Sequence, residues 1–401
     1  MERIVGCKER SPFTPGVPVP VEFFVGRRRQ IEQATRLLEQ AAAGRVQNAF
    51  LLGERGIGKS SFANFIKTLA LKKYSMVAVH VFLNRAFTMQ DMVRQVFEQI
   101  IKEASGEVWY EKIKTLFGKY ITQVGLFGMS ITFNPPKEEL DYLVRQFPEA
   151  LFKITEQVQN EKKGLFIALD DINGLAQNPD FANWYKSFVD EAATRYAIFP
   201  VFTMLVGLPE RRKSMYQAQP SLARIFSIIE VEALSQQEVT DFFKRAFGSV
   251  GIKVEEDAMK FMVHFSTGLP FLMQEIGDAT FWIDRDGVIT RDDAMEGVVT
   301  AADIIGKKYL DVKLYRSIRS RRYLSILRKL CSKGPTRRFV KKDIEKRLTD
   351  SEKRVLSGFL RRMKQLGIIE PDPEAGIGSY RFVNEMYPVY VWLEQSKRMR
   401  R

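Results

Sequence analysis

The chain has 401 residues, 45% hydrophobic and 27% charged, the make-up of a soluble protein with room for two or three domains. Its two cysteines, Cys7 and Cys331, match no metal or redox spacing, and a reducing cytoplasm is the simplest setting. The longest apolar stretch, residues 197–208, contains Pro200 and is too short to span a bilayer, and the N-terminus lacks an apolar signal core, so no membrane partner is expected.

The formal net charge is +14. Residues 311–401 hold 24 Lys and Arg against 10 Asp and Glu, so this segment carries the whole excess, and residues 1–310 balance at 38 of each sign. Such concentration is the electrostatic footprint of a polyanion partner. The only two histidines, His80 and His264, each lie in an apolar stretch and read as buried structural residues rather than ligands.

In chain order, the proline-rich residues 1–20 read as an extended arm. Ile31, Ala34, Leu37, Leu38 and Ala41 recur at helical spacing and predict a helix over 27–43. The apolar run 48–52 predicts a buried strand, and 76–83 a second. Residues 84–164 form a long excursion. In it, Thr88-x-x-Asp91 opens a helix with Met92, Val93, Val96 and Ile100 on one face. Residues 125–133 alternate enough for a short strand or hairpin, and Pro148 should break or kink a helical stretch over 137–160. Strands follow at 164–171, 198–206 and 228–231. Five strands with intervening helices imply an α/β fold, a parallel P-loop NTPase sheet covered on both faces. The expected division is a core over 21–234, a helical lid over 235–305 and a basic winged-helix domain over 311–401.

Between the first strand and the next helix stands Gly53-Glu54-Arg55-Gly56-Ile57-Gly58-Lys59-Ser60. This is the full G-x-x-x-x-G-K-[ST] phosphate loop. Glycines let backbone N–H groups turn toward phosphate oxygens, and the helix N-terminus adds positive potential. The loop and the adjoining Ser61 should bind ATP, with Lys59 on the terminal phosphates and Ser60 on Mg²⁺. Asp170 and Asp171 end a buried strand. Asp170 is assigned to the metal and Asp171 to the attacking water.

Phe24-Val25-Gly26-Arg27, the phosphate loop, the Asp170-Asp171 strand and Gly268-Leu269-Pro270 occur in this order. Over roughly residues 13–300 the chain thereby resembles the AAA+ and STAND P-loop ATPases, and most of all the bacterial and archaeal ATPases related to origin-recognition initiators. The resemblance implies that Phe24, Val25 and Gly26 line the adenine pocket and that Gly268 and Pro270 begin a lid helix over the nucleotide. A glycine before a helix and a proline in its first turn are also ordinary start signals. Arg224 occupies the place of the arginine finger, which acts on a neighbouring subunit's nucleotide; a solvated helix arginine is the alternative. The chain departs from the AAA+ pattern in Asp171, where a glutamate is usual. It also has no arginine after Gly268, and no polar sensor on the 198–206 strand unless Thr203 serves. These departures favour slow, switch-like turnover.

Residues 320–386 fit a winged helix. Tyr323, Ile326, Leu327 and Leu330 mark one helix, and Val340, Ile344 and Leu348 a second. A Thr349-x-x-Glu352 capping box starts a third, with Leu356, Phe359, Leu360 and Met363 buried. Its outer stripe of Arg354, Gly358, Arg361 and Gln365 suits a major groove, with Gly358 allowing close approach. Arg337 and Arg338 would add phosphate contacts, and Arg381 would sit near the tip or edge of the wing. A winged helix that docks on its own ATPase domain or on a protein is the alternative. Three functions stay open: an oligomeric Mg²⁺-dependent ATPase engaging duplex DNA, a nucleotide switch that seldom turns over and acts through an unknown protein partner, and a DNA-binding adaptor in which the ATPase domain only stabilises the fold.

Overall fold

The computed structural model describes residues 8–83, 88–104, 107–124, 131–308, 310, 318, 320–332, 334, 336–372 and 375–399. The chain divides into two compact units, one of residues Pro18–Glu232 and one combining Met1–Val17 with Ala233–Arg401.

The first unit opens with a 3-10 turn, Val21–Phe23, and helix α1, Arg28–Ala42. Then come β1 (Gln47–Leu52), α2 (Lys59–Lys72), β2 (Val77–Phe82), α3 (Met89–Ala104) and α4 (Tyr110–Phe117). A short antiparallel pair, β3 (Ile121–Val124) and β4 (Ile131–Phe133), follows. It realises the expected hairpin one strand earlier in the chain; residues 125–130 lie outside the described residues. Helices α5 (Lys137–Arg145) and α6 (Phe147–Val158) are separate, with Pro148 in the first turn of α6. There its missing N–H costs no hydrogen bond. The unit closes with β5 (Leu165–Asp170), α7 (Pro179–Arg195), β6 (Val201–Gly207), α8 (Pro209–Ala218) and β7 (Ser227–Glu230).

The sheet order is β2-β5-β6-β1-β7, parallel throughout. Strands β1, β5 and β6 are almost wholly buried, which is why they read as continuous apolar runs rather than alternating ones. On one face Val77, Val79, Val81, Leu165, Ile167 and Leu169 join the core built with α3, α6 and α7. Phe62, Ala63 and Ile66 of α2 are buried too, and α2 packs on β2, β5 and β6. Right-handed crossovers in opposite directions from β1 to β2 and from β2 to β5 put α2 and α3 on opposite faces.

In the second unit, α9 (Gln236–Ser249) starts at a complete Ser235–Glu238 capping box. It is followed by β8 (Lys253–Val254), α10 (Glu256–Ser266), α11 (Pro270–Ile283), β9 (Val288–Ile289) and α12 (Arg291–Ile305). The two-residue strands form a parallel pair inside the expected all-helical lid; two residues give no periodicity to read. The N-terminal segment is tied to this bundle. The Phe13 ring packs on Phe242 and Phe247, and a Cβ added at Gly277 would meet it at 2.2 Å. Lys8 Nζ donates to Asp284 Oδ2 at 2.5 Å.

The C-terminal region of this unit comprises α13 (Arg321–Cys331), β10 (Arg338–Val340), α14 (Lys341–Glu345), α15 (Asp350–Lys353), α16 (Leu356–Gln365), β11 (Ile369–Pro371), β12 (Ser379–Phe382) and α17 (Met386–Met399). Its strands form an antiparallel sheet in the order β10-β12-β11. Ile326, Leu327, Leu330, Leu356, Phe359, Leu360 and Met363 share one core with Tyr390 and Val391 of α17. Two expectations change. Val340 ends a strand and is 38% exposed rather than lining a helix, and the third helix is broken between α15 and α16. Among the described residues no helix is long and apolar enough to cross a membrane.

Candidate functional site

In the first unit the phosphate loop connects the C-terminal end of β1 to the N-terminus of α2. Gly56 and Gly58 have φ of 78° and 88°, values that cost a side chain dearly and glycine nothing. Gly53 is required for a different reason: a Cβ there would meet the Val231 carbonyl oxygen at 2.7 Å, and Val231 N donates to Leu52 O beside it. The loop is thus closed against the residue that follows β7.

Lys59 folds back over the loop and donates to the carbonyls of Gly53 at 2.7 Å and Glu54 at 2.8 Å. Burial lowers its pKa, against the opposing pull of the Asp170, Glu54 and Asp171 carboxylates. The ammonium therefore lies within electrostatic reach of both strand-end acids. Ser60 is the second residue of α2. The Ser61 hydroxyl accepts from Val19 N at 3.1 Å, so the chain entering the unit already occupies it.

The Phe24-Val25-Gly26-Arg27 segment braces the same helix. Phe24 stacks on Phe65 of α2 at 4.6 Å between ring centroids, and Val25 is buried. Arg27, buried and in the left-handed region at φ 59°, donates from its guanidinium to the Ile57 carbonyl. The sequence marks Arg27 as part of the Phe24–Arg27 motif, but its bond to Ile57, thirty residues on, shows only in the structure.

Asp170 ends β5 with its side chain buried, and Asp171 follows at φ 57°, a conformation that Asp and Asn tolerate better than most residues. Asp171 Oδ1 accepts from the Asn173 amide. His80, expected to be a buried structural residue, has its side chain buried, and its Nε2 lies 2.9 Å from Asp170 Oδ2. A period-2 reading of β2 could have placed it on the same sheet face, but the pairing of β2 with β5 was needed to bring the two together.

Thr203 does not reach this end of the sheet. It is level with Asn48 of β1, whereas Asp170 is level with Val206 and Leu52 with Gly207. Three residues separate those levels, about 10 Å along a strand. Thr203 hydrogen-bonds Tyr185, whose hydroxyl also donates to Asn48 Oδ1 at 2.8 Å. The end of β6 therefore presents Gly207 and Leu208, and no polar sensor side chain. Arg224 is exposed at the last residue of the 3-10 turn Pro220–Arg224.

In the second unit, Gly268 has φ 73°, and a Cβ on it would meet the Leu234 carbonyl oxygen at 2.2 Å. Pro270 is the first residue of α11. Backbone packing fixes the glycine, and a proline at the first helical position costs no hydrogen bond.

The basic residues of the C-terminal region fall into two groups. Arg337 pairs with Glu385 at 3.1 Å and donates to Phe382 O; Arg338 pairs with the buried Asp372 at 3.1 Å; Arg381 pairs with Glu370 at 2.7 Å. Arg381 stands on the central strand, in register with Arg338 and Glu370, which corrects its expected place near a tip or edge. Arg361 and Gln365 are exposed on α16, and Arg354 is exposed in the turn before it. Gly358 serves internal packing rather than an outside ligand: a Cβ there would meet the Tyr323 hydroxyl at 2.6 Å.

Residues 24–187 match the model of an AAA ATPase domain. An uncharacterised HTH-type transcriptional regulator of Methanocaldococcus jannaschii is 25% identical over 250 residues, 59% of this chain and 56% of that protein. The chain thus spans little more than half of this curated relative's length. Among solved structures, the ORC2 protein of Aeropyrum pernix in its ADPNP–ADP complexes aligns with a TM-score of 0.55 at 13% identity, over 99% of this chain and 98% of its own. The Walker-type ATPase of Pyrococcus abyssi aligns with a TM-score of 0.51 at 16% identity, over 92% and 96%. At such identities the likeness is one of fold.

Proposed function

We propose that this protein binds and slowly hydrolyses ATP with Mg²⁺, and that nucleotide state governs its self-association and its engagement of duplex DNA. The observation that carries the nucleotide reading is Lys59, folded onto the loop carbonyls within the field of Asp170 and Asp171. The donor set suits a magnesium nucleotide: inward-turned backbone, a helix N-terminus, a hydroxyl and a buried carboxylate. Lys59 exchanges its carbonyl partners for phosphate oxygens. Ser60 and Asp170 hold the metal ion, which when bound neutralises phosphate charge. Asp171 orients water, Phe24, Val25 and Gly26 flank the base, Gly268 and Pro270 begin the lid, and Arg224 serves a neighbouring copy. Lys59→Ala tests the core of this reading. Removing a buried charge partner costs roughly 2–5 kcal/mol, at least ~30-fold in affinity. A folded variant that binds a fluorescent ATP analogue like the parent would end the proposal.

The second reading is a switch that holds nucleotide and rarely turns it over. It is favoured by the apolar end of β6, which offers Gly207 and Leu208 where a polar sensor would stand, and by the bond that engages Asp171 with Asn173. ADP retained through purification, with negligible turnover, selects it.

The DNA reading rests on the charge excess of residues 311–401 and on the exposed Arg354, Arg361 and Gln365 beside a small antiparallel sheet, which we read as a winged helix. The name of the Methanocaldococcus relative agrees with it. Docking of this module on protein is the competing outcome, and a titration with duplex DNA at two salt concentrations separates the two.

A further inference from the structure

The buried histidine beside the strand-end carboxylate is unused in the reading above. On β2, residues Val77, Val79 and Val81 face the core shared with α3, so His80 and Phe82 turn to the opposite face, the one α2 covers. In the β2–β5 register His80 is level with Ala168 and Phe82 with Asp170. His80 therefore leans one step along the strand to reach the acid. Its Nε2 and Asp170 Oδ2 are 2.9 Å apart, with side chains 6% and 5% exposed. The imidazole also stacks on the Phe82 ring, centroids 4.3 Å apart, which fixes its plane. A carboxylate only accepts, so Nε2 carries the hydrogen and donates it.

A buried carboxylate with two equivalent oxygens can turn about its terminal torsion, whose preference is broad. A donor fixed on one oxygen removes that freedom and leaves the other aimed in a single direction. We propose that His80 is a positioning residue for Asp170: by holding Oδ2 it presents Oδ1 to the metal shell of the bound nucleotide, and so sets how strongly nucleotide binding depends on Mg²⁺. This rests on the nucleotide reading above and adds a residue to it. Partners that orient a metal ligand are typically worth 10–100-fold in metal affinity.

The test uses the full chain, a fluorescent ATP analogue and a Mg²⁺ titration started from EDTA. His80→Phe keeps a ring against Phe82 and removes the donor. His80→Gln restores an amide N–H near the Nε2 position. The expected result is unchanged affinity in EDTA for all three proteins, a Mg²⁺ midpoint raised about 10–100-fold in His80→Phe, and recovery of most of that shift in His80→Gln. Should His80→Phe not fold, His80→Asn, whose amide ends one bond short of the carboxylate, makes the same comparison. A donor-less variant with the parental midpoint overturns the proposal. So does an equal loss of affinity with and without Mg²⁺, the mark of a merely structural residue. Absence of nucleotide binding in the parent itself removes the nucleotide reading and this inference together, and is told apart because it needs no variant.

Discussion

In the function proposed above, the phosphate loop and the C-terminal basic region both meet anions, by different means. In the loop the groups concerned are backbone N–H groups and one lysine, held by glycine conformations and by Val231, the residue after β7 that Gly53 abuts. In the basic region they are long side chains, and their charge is shared with nearby acids: Arg381 with Glu370 on the neighbouring strand, Arg338 with Asp372 just after that strand, and Arg337 with Glu385 in the turn before α17. A backbone site has its ligand geometry built in, whereas a side-chain site is defined only once internal pairing is known. The sheet arginines are part of the framework; those on α16 and its approach face outward.

Four experiments press on this contrast, taken from the largest effect to the smallest. Arg224→Ala should lower ATP turnover by about 10³-fold if the exposed guanidinium acts on a neighbouring subunit's nucleotide. Activity per subunit should then rise with protein concentration, and concentration-independent turnover by a monomer would make the site self-contained. Asp171→Asn should keep nucleotide and lose about 10²-fold in turnover, because orienting water is a transition-state task. Parental turnover in that variant would move the role to another acid.

The third concerns the framework of the basic region. Glu352 is buried, and burial alone would raise its pKa. Hydrogen bonds from Lys329, Ser325 and Thr349 prevail and hold it down to about 2. Its folded pKa is thus below its ordinary value of 4.5. The stabilisation is therefore full above pH 4.5 and disappears as pH falls toward 2. Glu352→Gln should cost roughly 1–3 kcal/mol near neutrality, and the gap to the parent, read from denaturant melts, should close in acid. A gap that persists at low pH would assign the loss to packing.

The smallest effect separates outward from framework arginines. Arg361→Ala should reduce the slope of log DNA affinity against log salt by about 0.9, one phosphate's worth, with little change in Tm. Arg381→Ala should lower Tm and leave the slope nearer the parent's. The reverse pattern would mean that the Glu370 pair opens on DNA.

How much was legible in the sequence follows the same divide. The five sheet strands, the helix before them, the break at Pro148 and the phosphate loop were all readable, because apolar run length, helical spacing and a glycine-lysine pattern each follow from one local stretch of chain. Val340 and Gly358 were misread, and Thr203 was left open, for one reason: each makes sense only beside a partner distant in sequence, a neighbouring strand for Val340 and Thr203 and the Tyr323 hydroxyl for Gly358. Local spacing thus determined the elements and the loop that turns toward phosphate. Strand register and side-chain pairing, which join residues far apart in the chain, decided that His80 meets Asp170, that Arg27 braces Ile57, and which arginines remain to face a ligand.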